Sequence, residues 1–388
     1  MKLFLISARN VLRNRGRTFL TVLGAAVAIL AFIMLRTILS AWTVAAEYAA
    51  KDRIATRHKV TFVMQLPKRY IDTIRETPGV KKATWMNWFG ARDPKRPDDF
   101  FANMAVDPKT FLEVYDEVVV ADADKQRWYE DRQGAIVGAN LAKKMGLKVG
   151  DKVTLEGSIY PGDWTFNVSG IYTATRKSFD DSQFLFHWNY LNDSLPERRR
   201  DEIGWVVSRV DDPGKGASIS QAIDSVFDQR DTQTTTMSER AMNLSFLGMF
   251  SAILTALDIV SVIILAIMMM ILGNTIAMGV RERTREFAVL RAIGFTPGHV
   301  RTFIIGEAAF FGVLSGVVGV LLAYPIVQQG MGRWLEENMG GFFPYFRIEP
   351  MTVALALGLS VALGIGASLL PAARAAKLPV TEALRRVA

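Results

Sequence analysis

The sequence predicts an α-helical membrane protein with four transmembrane helices and a large α+β extracytoplasmic (periplasmic) domain that contains an inserted β-rich subdomain. Three observations support this prediction. The chain has four long apolar blocks, a segment of ordinary polarity separates the first block from the other three, and the excess positive charge falls in short segments beside the blocks. These features favour a polytopic membrane protein over a soluble chain with four buried helices.

The apolar blocks are long enough to cross a bilayer. Each holds at least 22 residues with no more than one charged side chain. About 20 helical residues, at roughly 1.5 Å each, cross a hydrocarbon core of about 30 Å. The first block has the basic start of a signal peptide, but its apolar core is longer than usual for one, so we expect it to remain uncleaved. We predict transmembrane helices over residues 18–40, 244–276, 302–328 and 351–373.

The distribution of charge orients these helices. Residues 41–243 hold 29 basic and 30 acidic side chains, whereas residues 1–17 hold five basic side chains and no acidic one. Segments 277–302 and 374–388 each carry a net charge of +3, and segment 328–350 carries −1. Because positively charged short segments stay in the cytoplasm, both termini are predicted to be cytoplasmic. The overall charge of +8 therefore gives no support to nucleic-acid binding.

This topology assigns a place to each remaining segment. The predicted parts are an amphipathic cytoplasmic helix over residues 1–17, the extracytoplasmic domain over 41–243, a cytoplasmic helix and turn over 277–301, a short extracytoplasmic loop over 329–350 and a cytoplasmic tail over 374–388.

The long segment after the first helix alternates strand and helix patterns. Lys59–Leu66 and Val80–Phe89 are predicted strands, and an apolar pattern after Pro108 indicates a helix that begins there. In residues 126–200 the pattern becomes mainly β, with a turn and strand over Val149–Leu155 and a further strand over Trp164–Tyr172. We therefore predict an α+β domain with a β-rich subdomain inserted into it.

The helical pattern after the second apolar block continues beyond the predicted membrane boundary. It extends from Asn274 to Ile293, and Gly294 has the position of a helix-ending glycine. Thr296 and Pro297 are a predicted N-cap and first helical residue for the next helix. The surface of the helix that ends at Ile293 carries charged side chains in pairs that are three and four residues apart. It leaves an apolar edge that needs a partner, formed by Phe287, Leu290 and Ile293.

The sequence contains none of the motifs that would indicate an enzyme. It has no cysteine, and its histidines, His58, His187 and His299, are too far apart in sequence to place two metal ligands on one helical face. The nearest approach to a phosphate-binding loop, Gly146–Val153, has the wrong spacing and a valine where magnesium needs a hydroxyl. We expect no cofactor and no catalytic activity in this chain.

Asp258 is the one ionisable residue deep inside an apolar block. A charge there costs about 2.5–3.5 kcal/mol or more, which suggests an ion or proton relay. The simpler interpretation is an interhelical hydrogen bond, because Glu307 lies nearer to a block end and is the only other acid available. We expect a structural role for Asp258, and we expect Arg36 and Glu307 to extend to the membrane surface.

Three motifs make a family resemblance specific. Ala8–Thr18, Arg281–Gly294 (R-E-R-T-R-E-F-A-V-L-R-A-I-G) and Pro371–Arg385 resemble permeases of the macrolide-exporter and FtsX superfamily of ABC transporters, the type VII or mechanotransmission class. The order of one helix, a large domain and three further helices is also similar, so the resemblance covers nearly the whole chain. Residues 134–151 resemble the small β subdomain of the exporter and lipoprotein-release branches.

The resemblance implies a permease subunit that works with a separate ATPase. Because these residues include no ATPase domain, ATP and magnesium are expected on an ABC ATPase, present in two copies. A second permease subunit, identical or homologous, is expected beside this one in the lipid of the bacterial inner membrane, with a periplasmic adaptor or outer-membrane channel as a further candidate. By resemblance, the residues that contact the ATPase are Arg281, Glu282, Arg283, Arg285, Glu286, Phe287, Leu290, Arg291 and Gly294.

Two other functions compete with this one. A membrane-anchored sensor or scaffold would bind a ligand outside and recruit a partner inside, and an ion-coupled secondary transporter would use Asp258. The chain lacks a recognisable signalling output segment and lacks inverted repeats, which disfavours both. The sequence does not identify the cargo: a drug, a peptide, a glycolipid, a lipoprotein and a cell-wall enzyme partner all stay open.

Overall fold

The computed structural model describes residues 15–176, 178–249, 251–338, 343 and 345–377. Most of the predicted N-terminal helix over residues 1–17, and most of the predicted tail, lie outside these residues.

The described residues form two compact parts. Of the described residues, the helical part contains 15–40, 252–333 and 346–377, and the part we call the sheet domain contains 41–176, 178–249, 251, 334–338, 343 and 345.

The helices and strands are numbered here in chain order. The helices are α1 Arg15–Glu47, α2 Tyr70–Glu76, α3 Pro108–Val114, α4 Asp122–Glu130, α5 Ala139–Met145, α6 Trp188–Ser194, α7 Gly216–Phe227, α8 Glu239–Gly248, α9 Ser251–Glu282, α10 Thr284–Ala292, α11 Pro297–Ala323, α12 Arg333–Asn338 and α13 Pro350–Lys377. The strands are β1 Arg53–His58, β2 Leu66–Pro67, β3 Val80–Trp88, β4 Ala91–Arg92, β5 Asn103–Val106, β6 Val118–Val120, β7 Gly134–Gly138, β8 Lys152–Gly157, β9 Gly162–Ala174, β10 Phe184–His187, β11 Glu202–Ile203, β12 Trp205–Val210 and β13 Thr234–Ser238.

Among the described residues, four helices are long and apolar enough to cross a membrane. They are α1, α9, α11 with the π-helical stretch Tyr324–Gly332 that follows it, and α13. The predicted fold class, four such helices together with an α+β domain, is confirmed. The helix α9 extends to Glu282, beyond the predicted membrane boundary, because an α-helix satisfies its own backbone hydrogen bonds in water as well as in lipid.

Glycines allow α11 and α13 to pack closely. A β-carbon on Gly312 would lie 2.5 Å from the carbonyl oxygen of Ser360, and one on Gly364 would lie 2.7 Å from the carbonyl oxygen of Ala308. A β-carbon on Gly316 would clash with the Ser360 hydroxyl. The G-x-x-x-G spacing that begins at Gly312 therefore marks a helix contact, as small residues at this spacing often do.

In the described part of the sheet domain, eleven strands form one mixed sheet. Their order is β13-β1-β12-β3-β5-β10-β7-β9-β8-β4, and β6 pairs with β9. The pairs β5–β10 and β7–β9 are parallel, and the other pairs are antiparallel. Strands β7 to β10 belong to the predicted β-rich subdomain, and they continue the main sheet.

The first strand differs from the sequence prediction. The expected strand over Lys59–Leu66 is wrong: the strand is Arg53–His58, and a loop follows it. This strand pairs with β12 on one side and with β13 on the other, so it lies inside the sheet. The later segment has more β-branched residues, but tertiary pairing overrides that preference.

Aromatic side chains fill the core of the sheet domain. Phe89 is fully buried and contacts a ring of aromatic neighbours, which are Tyr160, Trp164, Phe166 and Phe186. Four tryptophans are also buried, namely Trp85, Trp128, Trp164 and Trp188. These rings therefore hold the domain together and do not line an open groove.

A buried arginine joins the start, the middle and the end of the sheet domain. The Arg53 guanidinium donates two hydrogen bonds to Glu117, at 2.7 and 2.9 Å, and its Nε donates to Glu239 Oε2 at 2.9 Å. The same Glu239 oxygen accepts the backbone N–H of Ala50 at 2.9 Å. The ring of Tyr115 lies 4.4 Å from the guanidinium carbon. The strand that enters the domain is thus tied directly to the helix that leaves it.

Two buried carboxylates share Arg53, and Arg176 lies 3.9 Å from Glu117 as a second cation. Burial alone would lower the pKa of Arg53, but Glu239 and Glu117 raise it above its ordinary value, so the guanidinium stays charged. Burial raises the pKa of Glu239 above its ordinary range, against the opposing effect of Arg53, and the Glu117 charge adds to the rise. Glu117, with its two-pronged contact, is therefore the main ionic partner of Arg53.

We expect Glu117→Gln to destabilise the sheet domain far more than Glu239→Gln. A glutamine at position 117 places an amide NH₂ against the guanidinium, whereas one at 239 keeps a single oxygen that accepts both hydrogen bonds. Breaking a buried pair costs about 3–5 kcal/mol, and the conservative change at 239 should cost less than about 1 kcal/mol. Thermal unfolding of the full chain in detergent near neutral pH measures both values.

The dependence of stability on pH is a further check on Glu239. Its pKa is higher in the folded chain than the unfolded value of about 4.3, so the folded chain binds the proton more tightly. Stability should therefore fall as the pH rises from about 4.3 through the raised pKa. Glu239→Gln should remove this part of the pH dependence. Equal destabilisation by both variants would contradict the assignment of roles.

Candidate functional site

The segment that joins α9 to α11 is a bent helix with a glycine turn, and we call residues 281–296 the connecting segment. The helix α9 ends at Glu282, and α10 begins at Thr284. The sequence predicts one continuous helix here, but Arg283 leaves helical geometry, with φ −107° and ψ 15°. Gly294 has φ +106°, which favours glycine, and so ends α10 as the sequence predicts.

The next helix begins as the sequence predicts. The side chain of Thr296 accepts a hydrogen bond from the backbone N–H of His299, and Nδ1 of His299 accepts one from the backbone N–H of Thr296 at 3.2 Å. Pro297 is the first helical residue. This reciprocal cap satisfies backbone donors that the helix cannot satisfy itself, and it fixes where the connecting segment ends.

Arg283 holds α10 against α11. Its Nε donates to Glu286 at 2.8 Å, and its Nη1 donates to Glu307 of α11 at 3.0 Å. The guanidinium carbon lies 5.4 Å from the ring centre of Phe287 and 5.3 Å from that of Phe303. The two rings meet edge to face, with their centres 6.3 Å apart. We call these five residues the arginine clasp.

Two residues of the clasp lie in environments that differ from the predicted ones. Phe287, expected on an exposed apolar edge, is buried against Phe303. Glu307, expected to extend to the membrane surface, turns instead to Arg283, and its side chain is mostly buried. A sequence cannot reveal an ion pair between residues 24 positions apart on different helices, although an acid inside an apolar block signals that some partner exists.

The exposed side of the connecting segment is apolar at its centre. Ile293 is 68% exposed, and Val289 and Phe295 are also exposed. The charged residues Arg281 and Arg285 are exposed beside them. The apolar edge therefore consists of Val289, Ile293 and Phe295, and this edge, supported from behind by the clasp, is the surface of the segment that is open to a partner.

The other predicted contact residues hold the segment in place. Glu282 accepts two hydrogen bonds from Arg17 of α1. Arg291 donates to the carbonyl oxygen of Ala376 in α13 at 3.4 Å, and Leu290 is half-buried. The connecting segment is thus attached to α1, α11 and α13, so a displacement of the segment would act on three of the four long helices.

Asp258 lies on an exposed face of α9. Val262, one turn further on the same face, is exposed and apolar. The expected hydrogen bond to another helix of the same chain is not among the contacts of the described residues.

The histidines make local contacts. Among the described residues, no cluster of three or more His, Asp or Glu side chains could hold a metal ion. Each histidine has a local role: His187 Nε2 lies 2.7 Å from the Trp128 carbonyl oxygen, His58 accepts from the Val60 N–H, and His299 caps α11. The connecting segment presents an exposed apolar edge on a helix that hydrogen bonds attach to α11 and α13.

Two family descriptions match the chain. Residues 18–226 match the MacB-like periplasmic core domain, and residues 259–380 match the FtsX-like permease C-terminal region. The second match contains most of α9, the connecting segment, α11 and α13.

Relatives with these features are ABC transporter permeases. An uncharacterized ABC transporter permease of Methanocaldococcus jannaschii is 22% identical, and the alignment covers 97% of this chain and 96% of the relative. The lipoprotein-releasing system transmembrane protein LolC of Neisseria meningitidis is 27% identical over 64% of each chain. The macrolide export ATP-binding/permease protein MacB of Photorhabdus laumondii is 25% identical over 66% of this chain and 39% of that protein.

Solved structures similar to this chain are extracytoplasmic regions of transporters. The extracellular domain of YknZ from Gram-positive bacteria is 13% identical to this chain, with a TM-score of 0.35. The alignment covers 48% of this chain and 100% of that domain. The periplasmic region of MacB from Actinobacillus actinomycetemcomitans has 10% identity and a TM-score of 0.37, with coverages of 52% and 94%.

We expect Arg283→Gln and Glu307→Gln to be strongly non-additive. Arg283→Gln removes the cation that Glu307 faces in a mostly buried site, and Glu307→Gln leaves Arg283 with Glu286 alone, so the second change should add little. A double-mutant cycle on thermal unfolding in nanodiscs should give a coupling energy above about 1 kcal/mol.

Arg17→Gln provides the matched control for this cycle. Arg17 pairs with Glu282 and not with Glu307, so its effect should add to that of Glu307→Gln within about 0.5 kcal/mol. Additivity between Arg283 and Glu307 as well would show that the clasp does not hold the two helices together.

Proposed function

Because this chain belongs to the family of ABC transporter permeases with a MacB-like periplasmic core domain and an FtsX-like C-terminal region, we propose that it couples ATP hydrolysis in a separate ATPase subunit to movement of its sheet domain. The movement drives export, or extraction of a lipoprotein or lipid from the membrane. In this proposal the chain catalyses no reaction itself, and ATP and magnesium bind the partner.

The observation that carries this proposal is the exposed apolar edge on the braced connecting segment. Val289, Ile293 and Phe295 are exposed where two basic residues flank them, which is typical of a surface that binds another protein. A loose loop would absorb a push from a partner, whereas the arginine clasp and the contact from Arg291 to α13 would pass it to the long helices.

The proposed topology follows the distribution of charge. The connecting segment and both termini are cytoplasmic, residues 41–243 form the domain on the outer side of the inner membrane, and residues 329–350 form a short outer loop. The net charge of +3 in segment 277–302, against −1 in residues 41–243, supports this orientation.

Ile293→Asp should abolish copurification with the ATPase subunit. A carboxylate at the centre of the apolar edge would have to be buried without a partner on binding, which costs several kcal/mol. The measurement is purification through a tag on the permease from its native host, with detection of the ABC ATPase that copurifies with the unaltered chain and an assay of ATPase stimulation.

Val226→Asp is the matched control. Val226 is also exposed and apolar but lies on α7 of the sheet domain, so the ATPase should copurify with this variant as with the unaltered chain. Undiminished copurification and stimulation with Ile293→Asp would refute the connecting segment as the binding site.

We also propose that a second permease subunit packs against the exposed face of α9. A carboxylate that faces lipid costs about 2.5–3.5 kcal/mol, so the position of Asp258 supports a neighbouring helix with a hydrogen-bonding group. On this proposal Asp258 has a structural role between subunits and is not an ion relay.

Cysteine cross-linking tests the pairing of identical copies. The chain has no cysteine of its own, and Val262 lies one turn from Asp258 on the same face. Val262→Cys should form a cross-linked dimer in membranes. Val313→Cys, at an exposed position of α11, should not, and equal yields from both positions would contradict a specific interface at α9.

A further inference from the structure

An exposed apolar loop follows the first strand of the sheet domain. We call residues 60–64 the apolar loop. Val60 and Val63 are 76% and 78% exposed, and Met64 is also exposed. The five residues carry no charge. Single exposed apolar residues are common, but three within five positions form a patch that indicates contact with another apolar phase.

Hydrogen bonds give this loop a defined shape. The Val60 N–H donates to Nδ1 of His58 at 3.1 Å, and the Val63 N–H donates to Oγ1 of Thr61 at 3.3 Å. Just beyond the loop, Gln65 donates to the Tyr160 hydroxyl at 2.7 Å. Because its base is fixed in this way, the loop presents its valines outward instead of folding them into the core.

Phe62 attaches the loop to α8. Its ring lies 6.1 Å from the ring of Phe246, edge to face, and the Arg57 guanidinium carbon lies 4.3 Å from its centre on the ring face. Met249, which follows α8 directly and lies three residues after Phe246, is also exposed and apolar. The apolar loop and the last turns of α8 therefore contribute to one apolar surface.

The covalent chain places this surface near the membrane. Phe246 to Met249 is helical, which accounts for about 5 Å, and two further residues to Ser251 add at most about 7 Å. Ser251 is the first residue of the apolar helix α9. The headgroup region on each side of a bilayer is about 5–7 Å thick. The surface that contains Phe246 thus lies within reach of the headgroups, whatever the conformation of residue 250.

We infer that the apolar loop inserts into the headgroup region of the membrane that α9 crosses. The patch contacts the lipid surface, because the short stretch of chain from Phe246 to Ser251 keeps that surface close. The loop is then a second attachment of the sheet domain, besides the chain itself. This inference requires only that α9 crosses the bilayer and does not rest on the proposed function.

The test measures the depth of single cysteines in nanodiscs. Val63→Cys and, independently, Val60→Cys carry a fluorophore, and the full chain is reconstituted in phosphatidylcholine and phosphatidylglycerol that contain a quencher high on the acyl chain. Val226→Cys is the control, since Val226 is an exposed valine on α7 of the same domain. Insertion should make quenching at the loop at least about twofold stronger than at the control, as for a group at the headgroup boundary.

Two outcomes would overturn the inference. Quenching at both loop positions equal to that at Val226→Cys would show that the loop stays in water. Protection of the loop from a water-soluble quencher without any lipid quenching would show that protein covers it instead. Neither result would bear on binding of the ATPase, which is measured separately.

Discussion

Arg53 lies between two carboxylates at the point where the chain enters the sheet domain, and the arrangement of that domain depends on it. The guanidinium contacts Glu117 in the middle of the domain and Glu239 at its end, so residues 64 and 186 positions away meet at one charge. A buried charge is tolerated only while its partners stay in place, which makes this junction all-or-none. A pull on the entering or leaving chain must therefore move the domain as a unit.

A second arginine has the corresponding role in the helical part. Arg283 unites the bend after α9 with Glu307 of α11 and stacks on two phenylalanine rings. In both places an arginine is held by carboxylates and by an aromatic face, a combination that its planar, always charged group allows. Along the chain, Glu239 begins α8, and Arg283 follows the last residue of α9. The stretch of chain that runs from the sheet domain to the connecting segment is thus held by Arg53 at its start and by Arg283 at its end.

The sequence is informative where the physical signal is local. Hydropathy along the chain locates the four long helices, and the small and capping residues locate the bend: Gly294 has the positive φ that its position predicts, and Thr296 caps the next helix. The same reasoning fails for Lys59–Leu66, where β-branched residues favour a strand but form the exposed apolar loop. Propensity describes a residue in isolation, whereas the sheet selects the strand that its neighbours can pair with.

The sequence by itself determined the class of the protein, the number of long apolar helices and the position of the connecting segment, because lipid imposes a demand that every residue of a span must meet locally. Only the tertiary structure decided which charges are paired, that Phe287 is buried and that Asp258 faces outward. Arg283 and Glu307 are 24 positions apart in the sequence, and Arg53 and Glu239 are 186 positions apart. No local pattern records them, since a charged residue has the same appearance in a sequence whether water or a distant partner compensates it.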